Sequence, residues 1–402
     1  MTLPTIPDIT AELLTERAHA AGEPEWLVER RREAWAHFVA APLPEWRRTD
    51  ISALDLAKLA PADAPQGSAI QWDETLAAQG VICTSLADAV RNHAHLVQKY
   101  LDVAVPFQAH KFTALRAALW QDGVFLYVPK NVALDVPLRV IYTLAGTTQA
   151  AFPRTLVVLD QGASVTLIEE YTSNDRADIT LVGPSSEIFA GPGSSIRFIS
   201  AQHWGSNVYH FGTQRIVLER DANAEWTSIA LGGQVQHIDA ETTLLGNGSR
   251  VNWLGATFAS ANQILYNGPW LRHAGNNAES FMQFKTVVND HGYSVFDGMI
   301  KIESETKATA TRLEEHALHL SPEARNDSIP GLKIDSNDVV RGGHASTSGD
   351  VDDMQLFYMQ ARGISRDDAK RMIVMGFLAP ALDTIPVDGL REELTSIIEG
   401  KI

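Results

Sequence analysis

Between residues 162 and 311 the apolar positions are organised around one short phrase that returns six times. It consists of a small or turn-forming residue, an Ala or Ser, and then apolar positions separated by one residue. It reads Gly162-Ala163 leading to Val165 and Leu167, Gly193-Ser194 to Ile196 and Phe198, and Asn223-Ala224 to Trp226. It continues as Gly248-Ser249 to Val251 and Trp253, Asn277-Ala278 to Phe281, and Lys307-Ala308 to Thr309 and Thr311. The starts lie roughly 25 to 31 residues apart, a period that marks stacked repeat architectures. Runs such as Arg215-Ile216-Val217-Leu218-Glu219 place side chains on two faces of a strand rather than on one stripe of a helix. Leucine-rich, ankyrin and tetratricopeptide repeats each demand a helix per unit, and no helical period runs through this region. A parallel β-helix is therefore expected, the competing architecture being an irregular β-sandwich whose turn glycines happen to recur.

The flanks read differently. Leu13, Leu14 and Ala18 after Thr10 predict a helix stopping at Gly22, and Trp26, Leu27, Ala34, Trp35 and Phe38 a second ending before Pro42. Thr49-Asp50 is expected to cap a third short helix, residues 60–68 have the composition of a connector, and Leu86, Val90, Ala94, Val97 and Leu101 predict one more helix. Strand signals begin near Lys111, with Asp122-Gly123 as a turn before a first coil at Val124–Val128. The loop Leu320–Pro330 and a last short strand at Gly331–Asp335 close the repeat region. From Asp352 the period becomes helical: Met354, Phe357, Tyr358 and Ala361 mark one helix, Ser365 with Asp368 forms the capping box of a second, and Leu390 to Ile398 is a third. The middle helix carries Met372, Ile373, Val374, Met375, Phe377 and Leu378 almost around its circumference, more apolar surface than a small helical cap buries. The expected organisation is a helical N-terminal domain over 1–104 with a linker near 60–68, a β-helix core over 105–347 and a helical C-terminal domain over 348–402.

Charge and chemistry narrow the function classes. The chain of 402 residues carries a formal charge of −16 with a pI near 5.2, which argues against nucleic acid or an anionic membrane as partner. The first residues lack the pattern of a signal peptide and no run of 18 apolar residues occurs, so a cytoplasmic location is expected. The one cysteine, Cys83, sits in an apolar run and reads as a small buried hydrophobe. No P-loop, Rossmann turn or paired zinc-ligand spacing is present, and Gly191-Pro192-Gly193 is no phosphate cradle because Pro192 has no N–H to donate. No nucleotide is expected on this chain itself. Arg312, Glu314, Glu315 and His316 form a dense titratable cluster, but Glu314 and Glu315 point to opposite faces of a strand, which weakens a paired-carboxylate mechanism. His344 stands apart, after Gly342-Gly343 in what reads as a turn where repeats give way to helices, and its imidazole is of the type that ligates iron.

Several separated motifs in order, over nearly the whole length, carry a resemblance. They are Pro24-Glu25-Trp26-Leu27 through Arg32-Glu33-Ala34-Trp35, Trp46-Arg47-Arg48-Thr49-Asp50, Lys111-Phe112-Thr113-Ala114-Leu115 and Ser294-Val295-Phe296-Asp297-Gly298. The most specific are Leu320-Ser321-Pro322 through Ile329-Pro330, Gly343-His344-Ala345, Gln355-Leu356-Phe357-Tyr358, Arg362-Gly363-Ile364 and Gly376-Phe377. The chain resembles the SufB/SufD family of iron–sulfur cluster assembly proteins. The resemblance implies a right-handed parallel β-helix flanked by N- and C-terminal helical domains, and a non-enzymatic scaffold role. It also implies pairing with a SufB-like β-helix, docking of a SufC-like ATPase by the C-terminal helices through Phe357, Tyr358, Met372, Met375 and Phe377, and a transient iron–sulfur cluster near His344 at the subunit interface. Family members with a thiol here carry Cys-Ser-His or Cys-Thr-His, where this chain has Gly342-Gly343-His344. It therefore looks like the SufD side, offering an imidazole and no thiolate. A homodimer is expected to be open to it when alone. The alternative from another class is a β-helix carbohydrate-active enzyme of the polysaccharide-lyase kind, which needs convergent acids or bases along a groove.

Overall fold

A computed structural model describes residue 6 and residues 9–59, 68–72, 74–121, 123–144 and 149–402; the connector at 60–67 and the turn residue Asp122 lie outside it. The fold is mainly β, a parallel β-helix with helices at both ends. Two long sheets form its walls, one of nine and one of thirteen strands among the described residues. The nine-stranded sheet stacks Ser164–Thr172, Ser195–His203, Asn223–Ala230, Arg250–Ala259, Glu279–Val288, Thr309–His319 and Val339–Asp350 in sequence order, all parallel. Among the described residues antiparallel pairing enters only at the N-terminal end, where Ser68–Gln71 meets Leu138–Thr143 and Ile82–Ser85 meets Gly123–Val128. That ladder excludes the sandwich.

The six phrases mark the corner where each coil enters the nine-stranded sheet. The chain turns through a left-handed residue, Gly162, Gly193, Asp221, Gly248, Asn277 and Ala308, and the small residue after it (Ala163, Ser194, Ala222, Ser249, Ala278, Thr309) is fully buried. Two phrases are thus re-phased: the third begins at Asp221-Ala222 rather than Asn223-Ala224, and the sixth at Ala308-Thr309 rather than Lys307-Ala308. Register fixes this, since Ser195 pairs with Asn223 and Glu279 with Ala310. The corner leaves no room for a larger residue because coils stack at the ladder spacing of ~4.8 Å. Inside, Trp226 stacks on Trp253 with ring centroids 3.8 Å apart, flanked by Phe198 and Phe284.

The terminal helices cover the outer faces. Helices α1 (Ala11–Ala20), α2 (Glu25–Ala40), α3 (Leu86–Asn92), α4 (Ala94–Tyr100) and α5 (Lys111–Leu119) precede the coils. Leu27, Phe38, Leu115 and Trp120 share a core with Leu156, Leu181 and Phe211 of the thirteen-stranded sheet. Three expectations change here. Lys111 opens helix α5 rather than a strand; all nine of its residues are buried, and Lys111 Nζ donates to the Phe38 and Ala41 carbonyls that end α2. The single helix expected over 85–101 is broken in two at His93, whose ψ of 33° leaves the helical region. Thr49-Asp50 caps no helix: Thr49 Oγ1 instead bonds His237 Nδ1 at 2.8 Å, and Trp46 stacks on the His237 ring. At the other end of the chain, α6 (Asp353–Gln360) packs on α7 (Arg366–Leu382), while α7 and α8 (Asp388–Glu399) lie against the nine-stranded sheet, where Val374, Leu378, Leu390 and Leu394 meet Ile168, Ile199, Ile229 and Phe258. Ser365 caps α7, its Oγ accepting from the Asp368 N–H, but the expected capping box is half made: Asp368 Oδ2 accepts from the Ser365 hydroxyl rather than from its N–H.

Candidate functional site

The coils do not end at Gly331–Ile334. A further twelve-residue strand, Val339–Asp350, pairs with Thr309–His319 and is the last of its sheet, so among the described residues its other edge has no strand beside it. Arg325–Ser328 and Gly331–Ile334 end the opposite wall in the same way. The solenoid is open here, and a row of backbone donors and acceptors faces outward, which is the chemistry by which sheets take on another strand.

His344 is therefore a strand residue rather than a turn residue, and register says which way it faces. On Thr309–His319 the residues Thr311, Leu313 and Glu315 point inward and are buried. Their partners are Gly342, His344 and Ser346, and paired residues of parallel strands share a face. His344 thus belongs to the inward row of the terminal coil, yet it is exposed because nothing stacks upon it. A register shift at Thr309/Ala310 leaves Val340 bulged out just before it. Beneath, Glu315 is fully buried, its Oε2 accepting from Ser346 Oγ at 3.0 Å and its Oε1 from Asn326 Nδ2 at 3.3 Å, and burial pushes its carboxyl above the usual range. The rest of that cluster separates as expected: Glu314 faces the other way, bonded by Arg312 and Gln283, while His316 bonds Thr347.

A second feature lies beside the opening. Met354, Phe357 and Tyr358 on α6 and Met372 on α7 are 56–71% exposed, although Leu356 anchors the same helix. Met375 and Phe377 sit differently, half-buried on the flank of the solenoid, where the Lys285 ammonium lies 4.5 Å from the centre of the Phe377 ring. Together these elements form an open strand edge with an inward histidine, flanked by a strip of uncovered apolar helix.

Comparison with known proteins gives this arrangement a lineage. Residues 142–377 match the family described as SUF system FeS cluster assembly, SufBD core domain, and residues 69–140 match the SufBD protein N-terminal region. The chain belongs to the SufB/SufD family. It is 31% identical to the iron–sulfur cluster assembly protein SufD of Bacillus subtilis over the full length of both chains. It is 28% identical to an iron–sulfur cluster assembly SufBD family protein of Staphylococcus saprophyticus, over 94% of this chain and 90% of that one. SufB/SufD membership makes it an iron–sulfur cluster assembly protein and gives no support to the carbohydrate-active alternative.

Other side chains complete the picture. Cys83 is half-buried on Ile82–Ser85 against the core, and burial pushes its thiol up to about 12, so it stays protonated and inert. Among the described residues no helix is long and apolar enough to cross a membrane. Sequence reasoning missed one titratable group, Glu170, His203 and Glu393, because its members come from three distant segments and share no spacing.

Proposed function

We propose that this chain is a non-enzymatic, SufD-type scaffold subunit whose open β-helix end is completed by the corresponding end of a SufB-like subunit. His344 then supplies an imidazole to the nascent iron–sulfur cluster at the junction, and the α6–α7 strip of Phe357, Tyr358 and Met372 docks a SufC-like ATPase, with Met375 and Phe377 seating α7 on the solenoid. The observation that carries the reading is the unpaired strand Val339–Asp350 with His344 on its inward row. A β-helix edge lacking a strand is satisfied by a similar edge, and stacking coil on coil would bring His344 from solvent into a shared interior. An imidazole without a thiolate makes this half of a site, so the sulfur ligands come from the partner or the cargo. The cluster itself is the product being built and passed on.

The test is anaerobic reconstitution with the two partners. His344→Ala is expected to leave the complex intact on size exclusion while lowering the yield of cluster, read by its visible absorption. An unchanged yield would remove His344 as a ligand. Failure of the wild-type chain to associate with a SufB-like subunit would remove the scaffold reading.

A further inference from the structure

The outer face of the nine-stranded sheet holds a second group of ligand-type side chains, several strands away from the open end. Glu170 lies on Ser164–Thr172 and His203 ends Ser195–His203, with Ala201 opposite Glu170 and His203 opposite Thr172. They share the outward row with Ile168, Ile199 and Ala201, which α7 and α8 cover. Both side chains are at least 95% buried, and His203 Nε2 sits 3.3 Å from Glu170 Oε1. Glu393 reaches in from α8, its Oε1 3.8 Å from His203 Nδ1. Arg139 Nε donates to Glu170 Oε2 at 3.0 Å, which leaves Oε1 turned toward the histidine.

We propose that Glu170, His203 and Glu393 form a divalent transition-metal site that ties helix α8 to the flank of the solenoid. One donor atom from each residue lies within 4.8 Å of the others. Around an ion with bonds of about 2.1 Å in tetrahedral geometry such atoms are about 3.4 Å apart. His203 Nε2 and Glu170 Oε1 already meet that spacing; Glu393, half exposed and now against the other ring nitrogen, has to swing its carboxylate round to the Nε2 side to complete the set. One imidazole with two carboxylates and positions left for water is a donor set for zinc, manganese or ferrous iron, with too few oxygens for calcium. Charge favours the same conclusion: two carboxylates around one imidazole, with one guanidinium to offset them, leave a net negative pocket that a dication fills. Arg139 has the role an outer-shell partner plays at such sites, fixing the ligating carboxylate in one orientation. The site is independent of the open end, since it uses neither His344 nor the terminal strand.

Cobalt(II) titration of the purified full-length chain, followed by ligand-field absorption and by thermal melting, tests it. The wild type is expected to take up one equivalent with a rise in melting temperature, and His203→Ala to lose both signals. Glu393→Gln, a surface change that leaves folding alone, is expected to bind about tenfold or more weakly, at least the loss that outer-shell changes cause. His344→Ala is expected to match the wild type. Absence of cobalt uptake by the wild type, or wild-type affinity in Glu393→Gln, would overturn the site.

Discussion

Glu187 offers the sharpest test of how the N-terminal helices are fastened to the solenoid. It lies on Ser185–Ala190, and its Oε2 accepts from the Asp102 N–H at 2.9 Å while its Oε1 accepts from the N–H groups of Ala104 and Val105 at 2.9 and 3.0 Å. Arg154 Nη2 bridges Glu187 Oε2 at 2.9 Å and Asp102 Oδ1 at 2.6 Å, and these three side chains are no more than 7% exposed. Glu187→Ala removes the acceptor for three N–H groups, that of Val105 buried and those of Asp102 and Ala104 part-buried, and leaves Arg154 with one carboxylate. Breaking a buried pair costs about 3–5 kcal/mol, and each orphaned donor about 1–3 kcal/mol when nothing replaces it. Water entering the vacated space offsets part of the second term, so the total is expected near the pair value, about 4 kcal/mol. Urea unfolding followed by far-UV circular dichroism measures the loss, and hydrogen exchange at Asp102, Ala104 and Val105 locates it. The double variant Arg154→Met/Glu187→Leu is expected to lose less than the sum of its singles, because the Arg154–Glu187 pair is then lost once, although Asp102 loses Arg154 and the three N–H groups still lack their acceptor. A loss below about 1 kcal/mol with unchanged exchange at those amides, or a double variant no better than the sum of its singles, would refute the reasoning.

Three further outcomes are expected. Burial holds the imidazoles of His210 and His273 down to about 3 and about 4, against about 6.5 when unfolded, so the unfolded chain binds more protons below that value. Their contribution is complete above about pH 6.5 and declines toward pH 4 by roughly 1.4 kcal/mol per pH unit for each histidine, so the fall in urea midpoint between pH 7 and 5 should be smaller in His273→Gln. Gly246→Ala would put a Cβ 2.0 Å from the Arg220 nitrogen of the preceding coil, and a cost of about 1–3 kcal/mol is expected in the same unfolding assay. Phe357→Asp, on the exposed strip, is expected to leave the melting temperature nearly unchanged, within about 0.5 kcal/mol of stability. The same variant should abolish capture of a SufC-like ATPase, and retained capture would reassign the docking surface.

The coils were legible because their corners need a left-handed residue followed by a small one, a demand that every stacked turn repeats. The mis-phased third phrase shows the limit, since Asn223-Ala224 has the same composition as the true corner Asp221-Ala222 two residues earlier, and only strand pairing separates them. Helix α5 was illegible for the opposite reason: with all nine residues buried it has no polar face, so no helical period appears. The terminal strand read as a turn because, without a neighbour above it, Gly342, Gly343 and the serines around His344 show none of the apolar alternation that half-buried strands display. Glu170, His203 and Glu393 leave no sequence signature at all, as their meeting depends on how α8 lies across two coils.

The terminal strand ends at Asp350 and helix α6 begins at Asp353, so only Val351 and Asp352 separate them. A leash that short carries no slack. A load that levers α6 outward pulls directly on the last rung of the ladder, whereas the same load on α8 is spread over the broad flank of the barrel. Helix α6 and the mouth of the tube thus move as one linkage.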